Sequence, residues 1–148
     1  MSSTSPSAHE YALIGCSKKK LPMRMPAWSM YLGSSFATFM AYARVRNLNR
    51  FVLSGKHGLL TPYSIIDPYD FDLEAMTHVE QIAWSNDVAE QIRNAIPPGS
   101  ILTFMAGPAY TNNVMNELED EFTCGSLSIE DARKFVGDHH TTNYRDPS

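Results

Sequence analysis

The sequence predicts a single α/β domain, a three-layer sandwich around a short, mainly parallel sheet of about four strands. Short apolar runs alternate with stretches of helical periodicity, the order of repeated strand–helix units. The runs are continuous rather than alternating, as strands covered on both faces require. Three of them stop at a glycine: "YALIGCS" (11–17), "RFVLSG" (50–55) and "SILTFMAG" (100–107).

The 148 residues suit one domain, expected over residues 10–137 between a Ser-rich tail (1–9) and a loose C-terminal tail (138–148). Hydrophobic residues make up 43% and charged residues 19%, enough for a core, which excludes the disordered classes. After the first strand, "PAWSMYL" reads as a connection containing a turn. Leu32, Phe36, Phe39, Met40 and Ala43 then recur at helical spacing, with Ser34 or Ser35 as a cap. Residues 56–76 read as a long loop limited by Pro62 and Pro68, and a connection of that length points to function. Thr77 stands three before Glu80, a capping-box spacing. The helix it opens, over 78–96, is expected to turn Val79, Ile82, Ala83, Ala89, Ile92 and Ile96 to one face before "PPG" ends it. Around 110–121, Tyr110, Val114, Leu118 and Phe122 are spaced by four under an acidic surface. "TCGSL" is a fourth short strand, and Ser128 and Asp131 frame a last helix closed by Gly137.

Charge is unevenly spread. Residues 1–56 hold eight basic side chains and one acid, whereas residues 57–148 hold four basic and fifteen acidic ones. This suggests a basic patch beside an acidic body, or a folded dipole with solvated faces. The start "MSSTSPSAHE" lacks the apolar segment of a secretory signal. No run approaches the roughly 18 apolar residues of a membrane helix. A cytoplasmic protein with reduced Cys16 and Cys124 and no membrane contact is the expectation.

In an open parallel sheet ligands bind beyond the carboxyl ends of the strands. The three ends are "GCSKKK", "SGKHG" and "AGPAY", and parallel strands bring them to one edge. At the first, Gly15 permits a close turn, Ser17 and backbone amides meet an oxyanion, and Lys18, Lys19 and Lys20 neutralise phosphate. The competing reading is a solvated lysine run. Neither a P-loop nor a phosphatase Cys-to-Arg spacing is present. Cys16 is a candidate nucleophile whose thiol the lysines would acidify, or a small residue at a strand end. At the second, Ser54 and Gly55 lead to Lys56, another cation, and His57, a candidate general acid or base or a structural turn residue. In the loop that follows, Tyr69 and Asp70 stand in "DPYDFDLE", where a carboxylate would stabilise an oxocarbenium-like centre or only repel anions. At the third, Gly107 lets a ligand approach and Tyr110 stacks on it, unless Tyr110 belongs to the core.

These blocks, with Tyr31 followed by "SSF" at 34–36, "LSGKHGLLTP" at 53–62, "PYD" at 68–70 and "CGSLSI" at 124–129, resemble a family of small uncharacterised bacterial, archaeal and phage domains related to the YaaA-like peroxide-stress proteins. The resemblance covers most of residues 11–130; Ser54, Gly55, Gly58, Leu59, Leu60, Pro62, Pro68 and Tyr69 match the YaaA-like block. It implies an α/β domain linked to DNA and oxidative-stress protection, with relatives near nucleic-acid base modification. It brings no settled reaction and no cofactor.

Two readings of function follow. One is a nucleotide- or nucleobase-directed domain, with cleavage or exchange at an N-glycosidic bond as its reaction. The other is a non-catalytic DNA-binding stress module, with Arg44, Arg46 and Arg50 extending the lysine patch and DNA favoured over RNA. A redox or metal role through the cysteines and histidines is a third, poorly supported by His139 and His140 in the tail. If the arginines share a face with the lysines, a polymer is favoured. A deep pocket at the strand ends favours a small ligand or a flipped base.

Overall fold

The computed structural model describes residues 9–16, 23–31, 33–67, 69 and 75–139. In chain order the elements are β1 (Glu10–Gly15), β2 (Met25–Pro26), α1 (Ala27–Met30), α2 (Ser34–Val45), β3 (Asn49–Ser54), β4 (Gly58–Leu60), β5 (Ile65–Ile66), α3 (His78–Ala95), β6 (Ile101–Met105), α4 (Pro108–Leu118), β7 (Thr123–Ser126) and α5 (Ile129–His139). The five-stranded sheet runs β4-β3-β1-β6-β7, and a separate ladder joins β2 to β5. Strands β3, β1, β6 and β7 are parallel, and β4 lies antiparallel on β3. The four predicted strands are therefore present and parallel.

Both faces of the sheet are covered, which is why its strands read as unbroken apolar runs. Ala12, Ile14 and Val52 pack with α1, α2 and α5, while Leu13, Leu53 and Leu102 pack with α3 and α4. Neighbours along a strand point to opposite faces, so β1 feeds two cores with three consecutive, fully buried side chains. Leu13 and Ile14 each contribute about 1.5–3 kcal/mol by leaving water, and the Ala12 methyl about 0.8 kcal/mol.

Several local expectations change. Gly33, not Ser34 or Ser35, stands at the N-cap of α2, and α5 runs through Gly137 to His139. Residues 56–76 are not a plain loop, because β4 and β5 form inside them. The capping box of α3 is present in both directions: Glu80 N donates to Thr77 Oγ1 at 3.1 Å, and Thr77 N donates to Glu80 Oε1 at 2.8 Å. The buried face of α3 is Trp84, Ser85, Val88, Ala89 and Ile92; Ala89, Ile92 and Ile96 are buried as expected, whereas Val79, Ile82 and Ala83 are exposed. At 100° per residue Val79 and Ala83 fall on the far side of that stripe, and Val79 is 75% exposed.

At the amino edge of the sheet, Arg46 donates to both oxygens of Glu10 at 3.0 and 3.2 Å and to Tyr42 Oη at 2.8 Å. Thr103 Oγ1 adds a bond to Glu10 at 2.8 Å. This clasp ties α2 to β1 and β6 at the end opposite Gly15.

Candidate functional site at the carboxyl edge

The order of the parallel strands sets the geometry of the carboxyl edge. From β1 the chain steps outward to β3, crosses back over β1 to β6, and continues to β7. The direction reverses between β1 and β6, and such a reversal leaves a crevice between loops that depart to opposite faces. Here α2 packs on one face and α4 on the other. A cavity of about 320 Å³ lies at this point, bounded by Gly15 and Cys16 after β1 and by Met105, Ala106 and Gly107 after β6. Phe36, Phe39, Leu127 and Ile129 make its apolar wall, and Ser35 and Ser128 bring hydroxyls to it.

Three helices begin at this cavity, since Ser35, Gly107 and Ser128 belong to the starts of α2, α4 and α5. Ser128 Oγ accepts from Asp131 N at 3.1 Å, so α5 caps itself. The first turns of α2 and α4 carry no side-chain cap among the described residues. Their leading amides favour an acceptor or an anion.

Beside the cavity lies a chain of hydroxyls. Ser54, fully buried at the end of β3, bonds to Tyr69 Oη at 2.8 Å. Tyr69 Oη bonds to Tyr31 Oη at 2.7 Å. The tight turn after β3 closes on the same serine: the backbone N–H groups of Lys56 and His57 donate to Ser54 Oγ at 3.2 and 3.0 Å. Trp84 Nε1 donates to the Ser54 carbonyl at 3.1 Å, tying α3 to this point. The His57 ring meets Tyr69 edge-on at 5.1 Å, and Lys56 Nζ stands 5.5 Å from the Tyr69 ring centre. Tyr31 in turn packs against Phe36 of the cavity wall at 5.3 Å. Tyr31, Tyr69, Cys16 and Phe36 thus belong to one apolar cluster.

Burial raises the phenols of Tyr31 and Tyr69 above the ordinary tyrosine range, so both are protonated at neutral pH and serve as hydrogen-bonding groups rather than phenolate bases. Burial, with Lys56 adding to it, lowers His57, which leaves the imidazole neutral near pH 7 and able to accept a proton. Its Nε2 is shielded and finds no hydrogen-bond partner among the described residues.

The predicted site residues separate into three groups. Gly15, Cys16 and Gly107 line the cavity. Ser54, Lys56, His57 and Tyr69 gather around the hydroxyl chain, and Gly55 lies in the turn between them. Ser17, Lys18, Lys19, Lys20, Asp70 and the Tyr110 side chain lie outside the described residues. Gly15 has a different reason from the one expected. A Cβ there would lie 2.6 Å from Ala106 Cβ, so the residue permits β1 and β6 to meet rather than a turn. Gly58 is the turn glycine, with φ of +73° and the Gln91 side chain in the space of a Cβ.

Sequence reasoning did not assign Tyr31, Ser35, Phe36, Trp84, Leu127, Ser128 or Ile129 to the site. Phe36 read as core and Ser128 as a cap, and both readings are correct but incomplete. Arg46 and Arg50 do not share the carboxyl edge, because Arg46 is held by Glu10 and Arg50 stands near the start of β3. Both cysteines are free, Cys124 lies on the edge strand β7, and burial, reinforced by Glu119, pushes its thiol up. Among the described residues no group of three or more His, Cys, Asp or Glu side chains is placed to hold a metal ion, and no helix is long and apolar enough to cross a membrane.

The fold and this edge define a class, a three-layer α/β domain with an apolar cavity where its strand order reverses. The chain belongs to the family of unknown function DUF6884, whose pattern matches residues 11–132. No curated protein matches it. The likeness to YaaA-like proteins rests on the short sequence blocks alone.

Proposed function

We propose that the carboxyl-edge cavity binds a nucleotide or a nucleobase, with the apolar wall against the base and an acceptor-rich, anionic group at the helix starts. The observation that carries this reading is the position of a roughly 320 Å³ cavity at the β1/β6 reversal, the place where open α/β sheets receive ligands. Cys16, on the cavity rim, leads directly in sequence into Ser17, whose hydroxyl orients an oxyanion, and into Lys18, Lys19 and Lys20, which supply positive charge for phosphate. The reaction we propose is cleavage or exchange at an N-glycosidic bond. Neutral His57 takes a proton from the attacking water or hydroxyl as its oxygen bonds to the anomeric carbon; the N-glycosidic bond breaks with its electron pair on the departing base, which receives that proton from His57, and Asp70 offsets charge on the sugar.

The resemblance to YaaA-like proteins favours a DNA link, and a flipped base would satisfy both ideas. An extended basic face is less well supported, because Arg46 is neutralised by Glu10 at the opposite edge. Thermal-shift and Trp-fluorescence titrations with nucleosides, nucleotides and short single- and double-stranded DNA test the proposal. Saturable stabilisation by nucleotides, weakened when Lys18, Lys19 and Lys20 are all changed to alanine, is expected. Binding only to long duplexes with a steep salt slope would replace it with the DNA-module reading. No binding in any arm would sink both.

A further inference from the structure

We infer that Gln91 of α3 is a positioning residue for His57: it fastens the exit of the β3–β4 turn to the helix while Trp84 fastens the entry, and the imidazole between them is held in one place against Tyr69. The inference deepens the proposed function and rests on the role of His57 as its base.

The turn is short, and its two ends are tied separately. Ser54 closes β3 and Gly58 opens β4, so Gly55, Lys56 and His57 make the whole connection. At the entry, Trp84 Nε1 donates to the Ser54 carbonyl at 3.1 Å. At the exit, Leu59 N donates to Gln91 Oε1 at 2.9 Å. Trp84 and Gln91 stand seven residues apart, about two turns, and therefore share one stripe of α3. Strand β4 ends the sheet, so the Leu59 amide has no further strand to meet, and the Gln91 side chain takes the place of one.

Within the turn, the backbone amides of Lys56 and His57 both donate to the buried Ser54 Oγ, at 3.2 and 3.0 Å. Gly58 follows His57 at a φ of +73°, which glycine adopts freely. Gln91 fills the space that a Cβ at Gly58 would need. His57 is thus fixed through its own amide and through the residue on either side.

The consequence falls on the ring. His57 meets Tyr69 edge-on at 5.1 Å, and its Nε2 is shielded, with no hydrogen-bond partner among the described residues. An unpaired buried nitrogen is costly, and it persists here because the clamped turn keeps the ring from swinging out to water. Of the titratable groups beside the ring, Lys56 opposes a second positive charge, and Tyr69 is a protonated phenol. Trp84 and Gln91, behind the turn, carry no charge. Releasing the turn lets water reach Nε2 and removes the penalty on the imidazolium.

The test has two arms. In the first, without ligand, His57 is titrated by ¹³C NMR of its Cε1–H group in the wild type, Gln91→Met and Thr77→Ala. Gln91→Met keeps the side-chain length over Gly58 and loses the acceptor. Its His57 should titrate at higher pH than in the wild type, closer to the ordinary 6.5. Thr77→Ala weakens the same helix at its cap and should leave the His57 titration where it stands. An unchanged titration in Gln91→Met, or an equal rise in Thr77→Ala, overturns the role of Gln91. In the second arm, release of adenine from AMP is followed across pH. Gln91→Met should lower kcat about tenfold with KM little changed, and its acid limb should move up with the His57 titration. A kcat and pH profile equal to the wild type overturn the positioning. If the wild type releases no adenine, the proposed reaction fails, while the first arm still decides whether Gln91 holds His57.

Discussion

Changing Gly15 to alanine tests the convergence of β1 and β6 that creates the cavity. The new methyl carbon would lie 2.6 Å from Ala106 Cβ and 3.4 Å from its Cα, well inside contact distance. Because Ala106 Cβ is not the end of a flexible side chain, the strands themselves must separate. Such overpacking costs about 1–3 kcal/mol. For 148 residues, at roughly 2.1 cal/mol/K of unfolding entropy each, 1 kcal/mol corresponds to about 3 °C, so Tm should fall by about 3–10 °C. Ala106→Gly alone should cost about 0.5–1 kcal/mol in backbone entropy. In the double variant the methyl group of residue 15 takes the room vacated at 106. Scanning calorimetry should then show a coupling of about 1–3 kcal/mol in favour of the pair. A neutral Gly15→Ala, or strictly additive effects, would refute the close approach of the two strand ends.

Other perturbations follow from the same contacts. Thr77→Ala removes the capping box of α3 and should cost about 1 kcal/mol by denaturant unfolding, with nucleotide binding unchanged. Arg46→Ala breaks a half-exposed clasp at the amino edge and should cost no more than about 1 kcal/mol; a loss of nucleotide affinity there would contradict the assignment of the site. His57 is held below its ordinary pKa of 6.5, so the fold disfavours its protonated form. Its contribution to stability is complete above about pH 6.5 and is lost as pH falls through the lower folded value. Between pH 7 and pH 5 the wild type should therefore lose more Tm than His57→Gln, and parallel losses would refute the shift. Tyr31 and Tyr69 carry the opposite sign: their raised values stabilise the fold below pH 10, and stability falls as pH rises beyond it.

Much of the fold was legible because burial on both sheet faces writes itself into the chain as unbroken apolar runs. The runs around Leu13, Val52 and Phe104 each became a parallel strand. Their glycine-bounded ends marked the carboxyl edge, and Gly15, Cys16, Ser54, His57 and Gly107 were named from it, whereas Tyr69 was named from the acidic loop that follows. What was hidden lies in tertiary register. Strand β4 is three residues long and depends on its partner β3, so "GLL" carries no periodicity of its own. Only the first half of α3 was misjudged: Val79, Ile82 and Ala83 are apolar yet face outward, while Trp84 faces Ser54 and Ala89, Ile92 and Ile96 are buried as expected. Tyr31 could be recognised only once the fold brought it, across 38 positions, to Tyr69.

The central claim is that ligand binds at the β1/β6 reversal. Backbone amide NMR during titration with AMP tests it most directly. The account predicts saturable shifts at Cys16, Ser35, Phe36, Gly107, Leu127 and Ser128, and none at Glu10, Arg46 or Arg50. Shifts confined to the amino edge, or spread along the arginine-bearing end of α2, would contradict it.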